Sequence, residues 1–290
     1  MPVSPTASMP GAIRTIHLPV RGALRDCVEA FVAVEMGPTG PLPLAIAPSD
    51  TLMLTVQLAR GADAIGPKGS FGLNTRLTGV RRWTGRFVGT GDCVTLFAML
   101  TPLGAVQLLE SRRLDGGERI RMPLAHLLDD APIRRMESDV ALRDPLEGKL
   151  QAFAAWLEGR ASAHRRQSRP ALRAARAAMR LCADPRAALE TLADEQHVSR
   201  RQLERDFDRW LDVSPRHLAQ VARMQGVARD VHAGASLADA ATGRGFADQP
   251  HMNRVVRQLT GLTPREFARS EASPFAAAFR AAAGGRTVYL

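Results

Sequence analysis

Two short stretches of the chain concentrate side chains that make directional hydrogen bonds, RRQLERDFDRWL at 200–211 and QPHMNRVVRQLT at 249–260. In the first, Leu203, Phe207 and Trp210 recur at i, i+4 and i+7, and in the second Met252, Val256 and Leu259 do the same. That is the spacing of one buried helical face. At about 100° per residue, Arg201 and Arg205 point almost directly away from the first stripe. Glu204 and Asp208 flank them on one side, Gln202 and Arg209 on the other. In the second stretch Arg254 and Arg257 project outward, with Asn253 and His251 to either side. Such rows suit the reading of base edges, because arginine matches guanine O6 and N7 while Asn or Gln matches adenine N6 and N7. A helix backed by its own core and carrying these groups enters a major groove of double-stranded DNA. The candidate DNA contacts are therefore Arg200, Arg201, Gln202, Glu204 and Arg205, with Gln249, His251, Asn253, Arg254 and Arg257. The competing reading is a pair of solvated faces on a helical bundle. One copy would not separate the two; two phased copies in a basic region favour DNA.

The sequence around these helices is punctuated to hold them. Ser199-Arg-Arg-Gln202 reads as a capping box, in which Ser and Gln satisfy each other's backbone N–H groups. Asp248 reads as an N-cap, and Pro250 fits the first turn, where a missing N–H is harmless. Ser214-Pro215 and Thr263-Pro264 start the following helices alike, and Thr263-Pro-Arg-Glu266 forms another box. Setting Leu203 on Met252 also aligns Phe207 with Val256, Trp210 with Leu259, Asp212 with Gly261 and Ser214-Pro215 with Thr263-Pro264. Upstream, His197-Val198 aligns with Gly245-Phe246 after one inserted residue. The chain therefore repeats a helix, turn, helix, stop unit. The helix begun at Pro215 is expected to run to about Val231, before Gly234, and to join the units rigidly.

Charge follows the same division. Residues 164–290 hold 21 arginines against 13 acidic residues, a balance of +8, while residues 1–163 hold 18 basic against 16 acidic, or +2. The positive field belongs to the half with the repeat and suits a polyanionic partner.

Residues 186–269 resemble the DNA-binding domain of the AraC/XylS family of bacterial transcription regulators. The stretch LADAATGRGFADQPHMNRVVRQLTGLTPREFAR at 237–269 carries most of the match. The resemblance implies two helix-turn-helix motifs joined by a long helix, with base contacts from Arg201, Glu204 and Arg205 and from Gln249, His251 and Arg254. It also implies contact with RNA polymerase and an activating role as the family default. Four positions depart from the family pattern: His197 replaces the turn glycine of the first motif, Asp212 the glycine before Ser-Pro, and Val256 and Leu218 stand for usual aromatics. Histidine accepts positive φ better than most residues, though less readily than glycine.

The first half reads differently. LMLTVQL (52–58) and CVTLFAML (93–100) are strand-like runs separated by Gly- and Pro-rich segments. From Pro102 the period becomes helical, with Val106, Leu108, Leu109 and Leu114 on one face of 103–114 and further helix from about Leu124 to Trp156. LFAMLTPLGAVQLLE (96–110) resembles, more loosely, the sensor and dimerisation region of some family members. Trp83, Phe87, Phe97 and Met99 are candidates to line a pocket or to form ordinary core. The expected architecture is α+β: a β-rich domain with flanking helices over 1–160, a polar linker at 161–169, an all-α double helix-turn-helix domain over 170–270 and a tail at 271–290.

Enzymatic signatures are missing. The seven histidines are scattered, and no HxH, HExxH, GxSxG, GxGxxG or Walker-type loop occurs. His126 near Asp129 and Asp130 reads as surface, and Cys182 shares an apolar helical face with Ala175 and Met179, a setting for burial rather than reactivity. Cys27, Cys93 and Cys182 form no CxxC pair and suit a reducing, cytoplasmic setting. No catalytic residue, metal or cofactor is expected. There is neither a signal-peptide pattern nor an apolar run long enough to span a membrane. The expected function is a sequence-specific transcription regulator, an activator by resemblance, working as a homodimer whose first domain senses a small-molecule effector or mediates dimerisation. The alternative is an enzymatic or protein-binding N-terminal domain attached to a DNA-targeting module.

Overall fold

The structure, a computed structural model, describes residues 13–37, 42–58, 63–66, 69–72, 75–81, 84–89, 93–109, 121–124, 128–163 and 167–269. The two apolar runs foreseen as strands become β4 (Leu52–Leu58) and β9 (Cys93–Leu100), paired at the centre of a six-stranded antiparallel sheet. β1 (Ile13–Leu18) and β2 (Val28–Met36) extend it on one side, and β7 (Arg76–Thr78) and β10 (Arg121–Pro123) on the other, giving the order β1-β2-β9-β4-β7-β10. A second sheet has the order β3-β8-β5-β6, built from β3 (Leu42–Ile46), β5 (Asp63–Gly66), β6 (Gly69–Gly72) and β8 (Gly85–Gly89).

Period-two alternation sorts the side chains of the large sheet between its faces. Leu52, Leu54, Val56, Leu96, Ala98 and Leu100 join one core with Leu150, Phe153 and Leu157. Phe97 pairs laterally with Val32 and Thr55, and Met99 with Ala30 and Met53, on the opposite face. Phe97 and Met99 are both buried there; Trp83 and the side chain of Phe87, named with them, lie outside the described residues.

The strand-to-helix passage after β9 depends on a close approach. Thr101 N–H donates to the Cys27 carbonyl at 3.0 Å and the Thr101 hydroxyl to Asp26 O at 2.7 Å. Thr101 also caps α1 (Pro102–Leu108), accepting from Gly104 N at 2.9 Å. A Cβ on Gly104 would fall 1.8 Å from the Cys27 carbonyl oxygen, so only glycine fits. The helix has Leu109 as its C-cap, with Arg160 Nε donating to the Leu108 carbonyl, and residues 110–114 lie outside the described residues. Val106, Leu108 and Leu109 are buried as expected, while Leu114 lies outside the described residues. Of the expected helical stretch from Leu124 to Trp156, the described part holds α2 (Asp130–Ala141) and α3 (Leu146–Ser162), packed together. His126 is not among the described residues. α3 also takes in residues 161 and 162, the start of the expected linker, because Ala161 extends a helix readily and Ser162 tolerates its last position.

From α4 (Arg169–Ala183) onward every described element is helical: α5 (Leu189–Glu195), α6 (Arg200–Leu211), α7 (Pro215–His232), α8 (Leu237–Gly243), α9 (Gln249–Thr260) and α10 (Pro264–Arg269). The fold class is thus α+β, an antiparallel β-sheet domain followed by a helical region. The tail beyond 269 lies outside the described residues. The core of the helical region is shared, since Ala47, Val80 and Val106 from the first half enter the cluster formed by α4 to α10. Polar contacts follow the same seam. Gln225 Nε2, fully buried, donates to Pro48 O at 2.6 Å, and Thr84 N–H donates to Leu259 O at 3.1 Å. His217 Nε2 lies 2.8 Å from Arg81 O; a carbonyl only accepts, so this nitrogen carries the proton.

Candidate nucleic-acid interface

Each of the two stretches that open the sequence analysis forms one twelve-residue helix, α6 and α9. Leu203, Phe207, Met252, Val256 and Leu259 are buried beneath them, with Trp210 only partly covered and its ring against the Arg209 guanidinium. Arg200, Arg201, Arg205, Asn253, Arg254 and Arg257 are exposed, whereas Gln202, Glu204, Gln249 and His251 are half-buried. All ten candidates therefore sit on α6 or α9, in two rows separated by α7. At 1.5 Å per residue α7 is about 27 Å long, of the order of the ~34 Å between successive major grooves on one face of B-DNA.

The helix starts hold these rows in place. Ser199 Oγ accepts from Gln202 N at 3.2 Å, Ser214 Oγ from His217 N at 3.2 Å, and Asp248 Oδ1 from His251 N at 2.6 Å. The box at Thr263 is complete: Glu266 Oε2 accepts from Thr263 N at 2.8 Å, and Thr263 Oγ1 accepts from Glu266 N at 3.3 Å. The box expected at Ser199 is only half made. Gln202 turns its amide away from the Ser199 N–H, donating from Nε2 to Asp206 Oδ1 at 2.8 Å and accepting at Oε1 from Arg205 Nη2 at 2.6 Å. The charged Arg205 guanidinium takes the oxygen that the Ser199 N–H would use, while the Asp206 carboxylate holds the other end of the amide.

The turns show why the aligned positions matter. Gly245 and Gly261 take φ of 76° and 78°, and in the first unit His197 and Asp212 take φ of 55° and 52°. The first motif thus makes the same turn and the same stop without glycine, by placing non-glycine residues in the left-handed region.

The structure adds groups that the sequence reading passed over. Arg200 is shared between two carboxylates, Glu190 Oε1 at 2.7 Å and Glu204 Oε1 at 3.0 Å, which raise its pKa, Glu204 most. Glu190 is held below its usual range by its own backbone N–H and by Arg200. Arg173 of α4 donates from Nε to Asp206 Oδ2 at 2.7 Å, and Asp206 is buried. One signal for that pair was available: at about −60° from Leu203, Asp206 lies beside the apolar stripe, where a carboxylate needs a cationic partner. Between the units, Arg244 Nε donates to Asp230 Oδ2 at 2.6 Å, Arg223 Nη1 to Gly245 O at 3.2 Å, and Arg186 Nη2 to Thr242 O. Arg244 lies so close to α7 that a Cβ on Gly226 would meet its side chain at 2.7 Å. Arg244 and Arg223 tie the second unit to α7, and Arg186 ties α8 to the turn between α4 and α5.

Residues 192–270 match the family model of a helix-turn-helix domain. No curated protein matches the chain. Among solved structures it is similar to ToxT from Vibrio cholerae O395, at 12% identity over 79% of this chain and 94% of that one, with a TM-score of 0.44. It is also similar to wild-type ToxT of Vibrio cholerae strain SCE256 bound to an unsaturated fatty acid, at 12% identity over 82% and 94% of the chains and a TM-score of 0.42. The AraC-like transcriptional activator CuxR matches at 14% identity over 68% and 74%, with a TM-score of 0.29.

Proposed function

We propose, from the premise that residues 192–270 constitute an AraC-type helix-turn-helix domain and that the chain is a DNA-binding transcription regulator, that α6 and α9 read adjacent major grooves of one promoter site. The observation that carries this is the repetition itself. Two helices with equivalent caps, equivalent buried stripes and equivalent αL turns present exposed arginines on one connector. A solvated bundle face gives no reason for such phasing. In this reading Arg201, Glu204 and Arg205 contact bases from α6, and Gln249, His251 and Arg254 from α9. Arg200, Asn253 and Arg257 border those rows, and arginine–phosphate contacts supply salt-dependent affinity.

The finer parts of the proposal rest on the domain type. The protein acts as an activator that touches RNA polymerase, residues 1–160 act as a sensor or dimerisation domain joined through 161–169 to 170–270, and a homodimer binds a repeated site in the cytoplasm. A small-molecule effector would act by favouring one of two arrangements of dimer or domains. Among the described residues no helix is long and apolar enough to cross a membrane.

The test is selection from random-sequence DNA with the full-length protein. Two short half-motifs about one helical turn apart are expected, and a doubled copy of that site marks a dimer. Enrichment of a single half-motif would rule out reading by both units, and salt-sensitive binding without any enrichment would rule out sequence reading.

A further inference from the structure

The structure assigns Gln202 a different task from the one its residue type suggests: we propose that Asp206 and Gln202 form a brace, anchored by Arg173, that presets the Arg205 guanidinium for its base, and that Gln202 itself reads none. The inference rests on the assignment of Arg205 to the DNA interface.

The chain of contacts is continuous. Arg173 of α4 binds Asp206 Oδ2 through Nε at 2.7 Å and Nη2 at 2.5 Å. The other carboxylate oxygen accepts from Gln202 Nε2 at 2.8 Å, and Gln202 Oε1 accepts from Arg205 Nη2 at 2.6 Å. Taking Leu203 as zero, Asp206, Gln202 and Arg205 lie at about −60°, −100° and −160° around α6. The brace therefore runs from the buried side of the helix, past its flank, to its outward face. Exposure rises along it: Asp206 is buried, Gln202 half-buried and Arg205 exposed.

Chemistry fixes its direction. A carboxylate only accepts, so the end of the Gln202 amide facing Asp206 must be the NH₂. The oxygen is then left for Arg205, whose guanidinium only donates. Each link settles the next, and the amide has no equally good flipped state. A glutamine reading adenine must offer its oxygen and one N–H together to a single base edge, whereas here the two are directed to Asp206 and Arg205. An arginine held by one N–H keeps its remaining donors for a base, and its ordering is completed before DNA arrives.

The test uses the full-length protein and position-resolved base preferences over its selected site. Arg205→Ala first identifies the base pair that Arg205 reads. Gln202→Ala is expected to lower preference at that same base pair roughly 2–10-fold, the factor associated with ordering one long side chain, leaving every other position and the melting temperature unchanged. Adding Gln202→Ala to Arg205→Ala is expected to lower preference no further. Asp206→Asn, which keeps the shape but weakens the anchor, is expected to act at the same base pair. If Gln202→Ala instead erases preference at a different base pair, or acts additively with Arg205→Ala, Gln202 is a reader and the brace is wrong. If Arg205→Ala weakens all sequences alike, the fault lies with the interface assignment of Arg205.

Discussion

Arg205 and Arg254 hold equivalent places in the two units, but their surroundings differ. The Arg205 guanidinium donates to Gln202, whereas among the described residues the Arg254 side chain makes no hydrogen bond. The brace proposed for Arg205 therefore has no counterpart among the described contacts of Arg254. A second residue-scale contrast is electrostatic. Glu266 is exposed, yet its carboxyl is held below its usual range, first by the Thr263 backbone N–H, then by the Thr263 hydroxyl, with Arg257 a smaller contributor. A depressed carboxyl stabilises the fold above its unfolded-state pKa, and that stabilisation is lost as pH falls through the lower folded-state value. The start of α10 should therefore keep its cap through mildly acidic pH and fray only below the ordinary carboxylate range. Following Glu266 by NMR titration checks this, with a midpoint below the ordinary carboxylate range expected. A midpoint within that range would mean that the cap does not persist in solution, and Thr263→Val should move the midpoint up.

The elements of the helical region were legible because their signals are local. Caps, prolines at the first helical position and i, i+4, i+7 stripes all act within one or two turns, so α6, α7 and α9 could be bounded closely from sequence. The half-made box at Ser199 was not legible. Ser-x-x-Gln is a capping pattern on its own terms, and the groups that draw the Gln202 amide away are Arg205 and Asp206, the latter usable only because Arg173 arrives from 33 residues away. Similarly, nothing local marks that Arg160 closes the last turn of α1 from 52 residues away. At the first turn the outcome is a testable strain. His197 sits at φ 55° where the equivalent residue of the second unit is Gly245. A non-glycine residue there costs of order 1–3 kcal/mol, against roughly 0.4–1 kcal/mol of added chain entropy for glycine. His197→Gly should stabilise the protein by about 1 kcal/mol, read as a higher denaturant midpoint at unchanged slope. A lower midpoint would show that the imidazole contributes more than its backbone costs.

At the scale of the whole molecule the two halves are joined by contacts that no periodicity announces. Gln225 meets Pro48 across 177 residues, His217 meets Arg81 across 136, and Thr84 reaches the last-turn carbonyls of α9 across 175. Charge adds to the seam. Burial pushes the Asp50 carboxyl up, with Arg229 of α7 pulling the other way, and Cys182 of α4 is pushed up by burial and then by Asp50 and Glu29. Because α7 carries Gln225, Arg229 and His217 and also spans the two units, the face of α7 that meets the first half and the α6–α9 spacing belong to one rigid element. Opening the seam would strip a glutamine that is now fully buried of the Pro48 carbonyl. Gln225→Leu keeps the volume but leaves that carbonyl buried without its donor, which costs about 1–3 kcal/mol. For a chain of this size the melting temperature should fall by roughly 2–10 °C. The readout is differential scanning calorimetry of the full-length protein: a single transition, lowered, is expected if the halves unfold together. An unchanged melting temperature would mean that the seam is already open in solution, and the reading helices would then be oriented by α7 alone.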